Sequence, residues 1–212
     1  MMKTEIRKKI ESEVIKILAQ QTGRKLVPAA SSNRHVHLSR ADVEALFGAG
    51  YTLTPFRPLS QPGQFACEET VTLEGPKGSI SKIRVLGPER KETQAEISVT
   101  DSFKLGIKPV VRMSGELDNT PGGKLTGPKG SVELKKGVVV AARHLHLSAD
   151  QASGFNLQNG DVVRLKAGGY RPVIFENVIV RSGDGHEMEV HLDTDEANAA
   201  MIKNGDFLEI VD

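Results

Sequence analysis

The sequence predicts a mainly β protein: two related antiparallel β-barrel domains with short capping helices, preceded by an amphipathic helix. Three observations lead there. The 212 residues contain 21 Gly and 10 Pro, which implies many tight turns. The apolar runs are short and rich in Val, Ile and Leu, and turn signals rather than helical periods separate them. A six-residue text occurs twice, as Arg34-His35-Val36-His37-Leu38-Ser39 and as Arg143-His144-Leu145-His146-Leu147-Ser148, so the chain reads as a duplicated unit. With no Trp, two Tyr and seven Phe, the core must come from aliphatic side chains.

In chain order, residues 4–20 read as the amphipathic helix. Ile6, Ile10, Val14, Ile17 and Leu18 recur at helical spacing, and Gln20-Gln21-Thr22-Gly23 ends it. Strands are expected at Glu69–Leu73, Ile80–Leu86, Ala95–Val99, Val110–Met113, Val138–Ala142, Asp161–Leu165, Val173–Val180, Met188–Leu192 and Phe207–Val211. Gly75-Pro76-Lys77-Gly78, Pro121-Gly122-Gly123 and Ser182-Gly183-Asp184-Gly185 mark turns between them. Each His-x-His text follows an apolar run and ends in a helix-capping Ser. Ser148-x-x-Gln151 fits a capping box, and Ser39-x-x-Asp42 is its weaker form. The organisation expected is a helix over 1–22, one barrel over 23–125 and a second over 126–212, with strand exchange between the barrels allowed.

Composition excludes several classes. Twenty-eight Lys plus Arg against 27 Asp plus Glu leave a net charge of +1, which argues against a general nucleic-acid binder. No apolar run approaches the ~20 residues of a membrane helix, and no secretory signal is expected. The single cysteine, Cys67, excludes an internal disulfide and fits a reducing, cytoplasmic setting. Neither Gly-x4-Gly-Lys-[Ser/Thr] nor Gly-x-Gly-x-x-Gly occurs, so nucleotide hydrolysis and dinucleotide redox chemistry lack their usual motifs.

The histidines carry the chemistry. On a strand, residues i and i+2 share a face, so His35 projects beside His37, and His144 beside His146. Each pair suits one metal ion, and the two pairs together supply four ligands for one closed site or two open ones. A third ligand comes from the later strand of each repeat: Glu96 in the first and His191 in the second, both followed by similar text, Val99-Thr100-Asp101 and Asp193-Thr194-Asp195. Three protein ligands with an open position is the pattern of a catalytic metal. Without the duplication, a lone His-x-His would more simply be a surface or core feature. His186, in Gly183-Asp184-Gly185-His186, is expected to be an exposed turn residue.

These residues bear a family resemblance. Ser32-Asn33-Arg34-His35-Val36-His37-Leu38-Ser39, Gln61-Pro62-Gly63-Gln64, Val71-Thr72-Leu73-x-Gly75-Pro76-Lys77-Gly78, Leu86-Gly87-Pro88, Arg112-Met113-Ser114-Gly115, Arg143-His144-x-His146 and His191-x-Asp193-Thr194-Asp195-Glu196-Ala197-Asn198 resemble the phosphotransacylases of the propanediol-utilisation type, the phosphate propanoyltransferases. The matches run in order from about residue 26 to the C-terminus. The resemblance implies two β-barrels, a dinuclear metal site (usually zinc) and reversible acyl transfer between coenzyme A and phosphate, with propanoyl or acetyl as the acyl group. It implies one ion on His35, His37 and Glu96 and another on His144, His146 and His191. Arg90 would bind phosphate. Coenzyme A would contact Ser31, Ser32, Asn33, Lys77, Arg84 and Asn198. Ser114 matches a motif near the site without a firm role. Ser31 departs from the apolar residue of the family pattern, which matters little for a backbone contact.

Direct attack of phosphate on a metal-polarised thioester is the mechanism expected. Cys67 is the only thiol open to a covalent route, and it reads as a small apolar filler. A metal-dependent ester or phosphoester hydrolase and a non-catalytic metal or ligand module are the alternatives. Residues 1–20 are expected either to pack on the barrel or across a homodimer, or to dock onto shell or cargo proteins of a bacterial microcompartment, where related enzymes work.

Overall fold

The computed structural model describes residues 10, 13–15, 17 and 21–211. It is mainly β, as the composition requires. The amphipathic helix expected over 4–20 falls mostly outside the described residues. Of its apolar stripe, Ile10, Val14 and Ile17 are exposed. No described helix is long and apolar enough to cross a membrane.

The chain forms two compact units, interleaved in sequence. One comprises the described part of residues 1–31 with 143–191 and 197–212, and the other comprises 32–142 with 192–196. The first is a closed six-stranded barrel of β1 (Lys25–Ser32), β11 (His144–Leu147), β12 (Val162–Ala167), β13 (Val173–Ser182), β14 (Glu189–Asp193) and β15 (Phe207–Val211). Its strand order is β1-β14-β11-β13-β12-β15. Val27, Leu145, Leu147, Leu165, Val178, Val180 and Leu208 are buried in this unit. Closure leaves no unpaired strand edge.

The second unit is an open nine-stranded sheet: β2 (His35–Ser39), β3 (Pro55–Pro58), β4 (Phe65–Gly75), β5 (Gly78–Arg90), β6 (Gln94–Glu96), β7 (Val111–Arg112), β8 (Gly123–Thr126), β9 (Ser131–Leu134) and β10 (Val138–Ala141). The long hairpin β4–β5 is its spine. Val36, Leu38, Val71, Leu73, Ile83, Val85 and Leu125 pack in one core. The two Gly-Pro-Lys-Gly-Ser texts are both hairpin turns, between β4 and β5 and between β8 and β9. Most pairings are antiparallel, but each His-x-His strand also has a parallel neighbour, β5 beside β2 and β13 beside β11. The helix after each His-x-His strand reverses the chain and permits that parallel return.

Four short helices follow capping residues. Ser39 accepts from the Asp42 backbone N–H ahead of α1 (Arg40–Phe47), and Ser148 and Gln151 form a capping box ahead of α3 (Ala149–Phe155). The strand expected over Ala95–Val99 stops at Glu96 because Ser98 and Asp101 form a capping box that starts α2 at Val99 (Val99–Leu105). Asp193 and Glu196 bond reciprocally, at 3.0 and 2.8 Å, to open α4 (Thr194–Ala200). A strand carrying Glu96 or His191, a reciprocal cap and a short helix therefore recur in both repeats.

A backbone contact beside β8 has a measurable consequence. A Cβ on Gly122 would lie 1.8 Å from the Leu134 carbonyl oxygen. Gly122→Ala is therefore expected to cost about 1–3 kcal/mol through forced backbone displacement, read as a lower urea midpoint.

Candidate metal centres

In β2, Val36 and Leu38 enter the core, so alternation turns His35 and His37 to the opposite face. The antiparallel neighbour β6 aligns Glu96 with His35 and Gln94 with His37. His35, His37 and Glu96 are all buried, and one ligand atom from each lies within 4.8 Å of the others. In the barrel unit, β14 aligns His191 with His144 and Glu189 with His146. His144, His146 and His191 meet the same 4.8 Å criterion. Each trio expected from the repeat thus converges within its own unit.

Tautomers and charge suit metal binding. His35 Nδ1 is 2.8 Å from the Asn33 carbonyl, which leaves Nε2 as the lone-pair nitrogen, 3.4 Å from Glu96 Oε2. Burial opposes a charge on His35, but the Glu96 carboxylate and the Asn33 carbonyl outweigh it and hold the pKa above the ordinary value. Burial, then His35 and Arg90, push His37 down to about 3. His37 Nδ1 is buried and lacks a well-formed hydrogen bond. A neutral imidazole offers a lone-pair nitrogen and is a fitting donor for a cation. In the barrel unit, burial, then His144, His191 and His186, push His146 down to about 2.

These shifts predict how the metal-stripped chain responds to acid. Unfolded His titrates near 6.5. The depressed His37 and His146 contribute stability that is full above that pH and is lost as pH falls towards 3 and below. His35 has the opposite sign: its contribution is full below 6.5 and is lost as pH rises through its raised value. Two strongly depressed rings against one raised ring leave a net loss on acidification. The chelator-treated chain is expected to unfold at a lower temperature at pH 5 than at pH 7.5 in a thermal scan.

The sheet unit ties its trio to a cation. Arg90 Nη1 donates to Ser114 Oγ at 2.9 Å, and Ser114 Oγ donates to Glu96 Oε1 at 3.1 Å. Gln94 Nε2 donates to Glu96 Oε1 at 2.6 Å and to Ser114 Oγ at 2.9 Å, while Gln94 Oε1 accepts from the Gly115 backbone N–H at 2.7 Å. Ser114 thereby accepts twice and donates once, the full capacity of a hydroxyl. Arg90 and Ser114 are half-buried.

The residues expected to contact coenzyme A are distributed more widely. Arg84 aligns with His35 across β5 and donates to the Cys67 and Glu68 carbonyls, with its guanidinium 5.7 Å from the centre of the Phe56 ring. Asn33, next to Ser32 at the end of β1, accepts from Thr194 Oγ1 at 3.0 Å. Ser31 donates its backbone N–H to Asn204 Oδ1. Asn198 is exposed on α4. Lys77 is exposed in the β4–β5 turn, seven residues before Arg84 and so about 23 Å away along the strand. The structure does not bring Lys77 to the histidines.

His186 departs from expectation. It is half-buried rather than exposed, with Nδ1 2.9 Å from His146 Nδ1. The turn Gly183-Asp184-Gly185 folds it back onto that ring, 4.7 Å between centroids. Gln94 and Glu189 were not singled out by sequence. Their one signal is the i−2 spacing from Glu96 and His191 on a strand.

A model of the family described as phosphate propanoyltransferase matches residues 28–203. A phosphate propanoyltransferase of Thermotoga maritima is 49% identical over 201 residues, covering 94% of each chain. One of Rhodopseudomonas palustris is 52% identical over 87% of this chain and 81% of its own. One of Priestia megaterium is 50% identical over 93% of this chain and 91% of its own. With a family model over residues 28–203 and relatives about half identical over most of the chain, the chain belongs to the phosphate propanoyltransferase family.

Proposed function

We propose that this chain, an acyltransferase by family, transfers a propanoyl or acetyl group between coenzyme A and inorganic phosphate. Its two trios, His35, His37 and Glu96 and His144, His146 and His191, would each hold one divalent ion, with zinc expected for a nitrogen-rich donor set. A bound ion would supply Lewis acidity at the thioester carbonyl and stabilise the departing sulfur.

The observation that carries this reading is the bonded line Arg90–Ser114–Glu96 within the sheet unit. It links an anion-binding guanidinium to a metal-ligand carboxylate through one hydroxyl. Arg90 offers a planar fork of donors matched to phosphate oxygens, and Ser114 fixes its direction. A phosphate oxygen bonds to the acyl carbon, the carbon–sulfur bond breaks, and the sulfur leaves with the electron pair. Arg84, Asn33, Ser31 and Ser32, Asn198 and Lys77 are proposed as coenzyme A contacts.

A covalent acyl–cysteine route finds no support at Cys67. Its thiol is fully buried, and burial followed by Glu69 pushes its pKa up to about 11, so the nucleophilic thiolate is scarce at neutral pH. Cys67→Ala is expected to keep turnover within about twofold while lowering thermal stability slightly. The proposed activity is tested by thiol release from propanoyl-coenzyme A. Release that depends on phosphate and yields acyl phosphate supports the reading. Release of free acid without phosphate would make the chain a hydrolase.

A further inference from the structure

The two trios are each three corners of a four-residue square. Strand register pairs His35 with Glu96 and His37 with Gln94 in one unit, and His144 with His191 and His146 with Glu189 in the other. Three corners are the expected ligands. The fourth, Gln94 or Glu189, falls outside the ligand trio of its unit.

Each fourth corner bonds the third ligand two residues further along its own strand. Gln94 Nε2 donates to Glu96 Oε1 at 2.6 Å, and Glu189 Oε2 lies 2.7 Å from His191 Nε2. The chemistry is exchanged together with the ligand. A carboxylate ligand needs a donor beside it and has an amide. An imidazole ligand needs an acceptor for its second nitrogen and has a carboxylate. Partners of this kind fix ring orientation and tautomer and raise ligand basicity.

We propose that Gln94 and Glu189 are positioning residues, each matched to the third ligand of its own unit, so that Gln94/Glu96 and Glu189/His191 are exchangeable cassettes. The inference rests on the metal-holding role proposed for the trios. It explains why the repeats can differ at the third ligand while keeping the same strand register. Gln94→Glu would set two carboxylates at about hydrogen-bond distance, where both cannot remain ionised without repulsion. Glu189→Gln keeps the size and shape of the side chain but removes the charge that supports His191.

The test is zinc retained after dialysis against a competing chelator, with circular dichroism to confirm folding. Wild type is expected to retain two ions per chain. Gln94→Glu is expected to weaken one site by about 10–100-fold, and the double variant Gln94→Glu with Glu96→His to recover at least tenfold of that loss. Cobalt loaded into the double variant should absorb as an all-imidazole set at both sites. A purely structural Gln94 would not be rescued by changing its neighbour. Glu189→Gln is a second arm, with one site expected to weaken by about 10–100-fold. Two ions in the wild type with no rescue in the double variant, or unchanged affinity in Glu189→Gln, overturns the positioning assignment alone. A wild-type chain that retains no zinc overturns the metal reading and this inference together.

Discussion

His37→Ala is expected to remove one of two metal ions and to lower turnover by about 10³-fold or more. Electrostatic stabilisation of a developing charge is commonly the largest single contribution to catalysis, and deleting one such donor costs about 10²–10³-fold. Losing the ion removes more than one donor. His37 is the informative position because it is 3% exposed and burial, with His35 and Arg90 beside it, keeps the ring neutral. Its side chain faces away from the core that Val36 and Leu38 build, so the fold should survive the truncation. Metal analysis and thiol release on the same sample check both halves. A variant that keeps both ions, or keeps near-wild-type turnover, contradicts the ligand assignment.

Arg90→Ala is expected to raise KM for phosphate by about 10–100-fold, the loss of hydrogen bonds from a charged donor worth about 1.5–3 kcal/mol. Turnover should fall as well, because the guanidinium orients the attacking oxygen and not merely the ground-state anion. Arg90→Lys should recover little, since a single ammonium cannot reproduce the fork. KM for acyl-coenzyme A should move far less. Ser114→Ala should show a smaller effect of the same kind, about fivefold, because it frees Arg90 and Glu96 from their common hydroxyl without removing either. Initial rates at varied phosphate separate these outcomes. A phosphate KM unchanged by Arg90→Ala would remove Arg90 from the site.

The clustering of the two trios was legible because duplication exposed it. Two copies of Arg-His-x-His-x-Ser place the ring pairs, strand alternation gives them a common face, and the matched texts after Glu96 and His191 point to the third member of each cluster. The capping Ser39 and Ser148 were equally readable, since a capping box is a local signal. What escaped had a weak local signal, such as the Ser98-x-x-Asp101 cap, or none. The helices at Val99–Leu105 and Thr194–Ala200 are seven residues each, too short for a hydrophobic period to register, and their caps sit beside β-branched text. The four-residue strands β8 and β9 flank a Gly-Pro-Lys-Gly turn that reads as loop. Gln94 and Glu189 are ordinary polar residues until register places them opposite a histidine. His186 was misplaced because a Gly-Asp-Gly turn suggests solvent, whereas here it returns the ring to His146.

The proposed activity rests on divalent metal, held by these histidines, that makes the thioester reactive toward phosphate. Its most direct test is thiol release from propanoyl-coenzyme A by the chelator-treated chain, before and after zinc is added back, in phosphate buffer. Turnover should vanish with the metal and return as two equivalents of zinc per chain are restored. Turnover that persists undiminished in the stripped, still folded chain would contradict it.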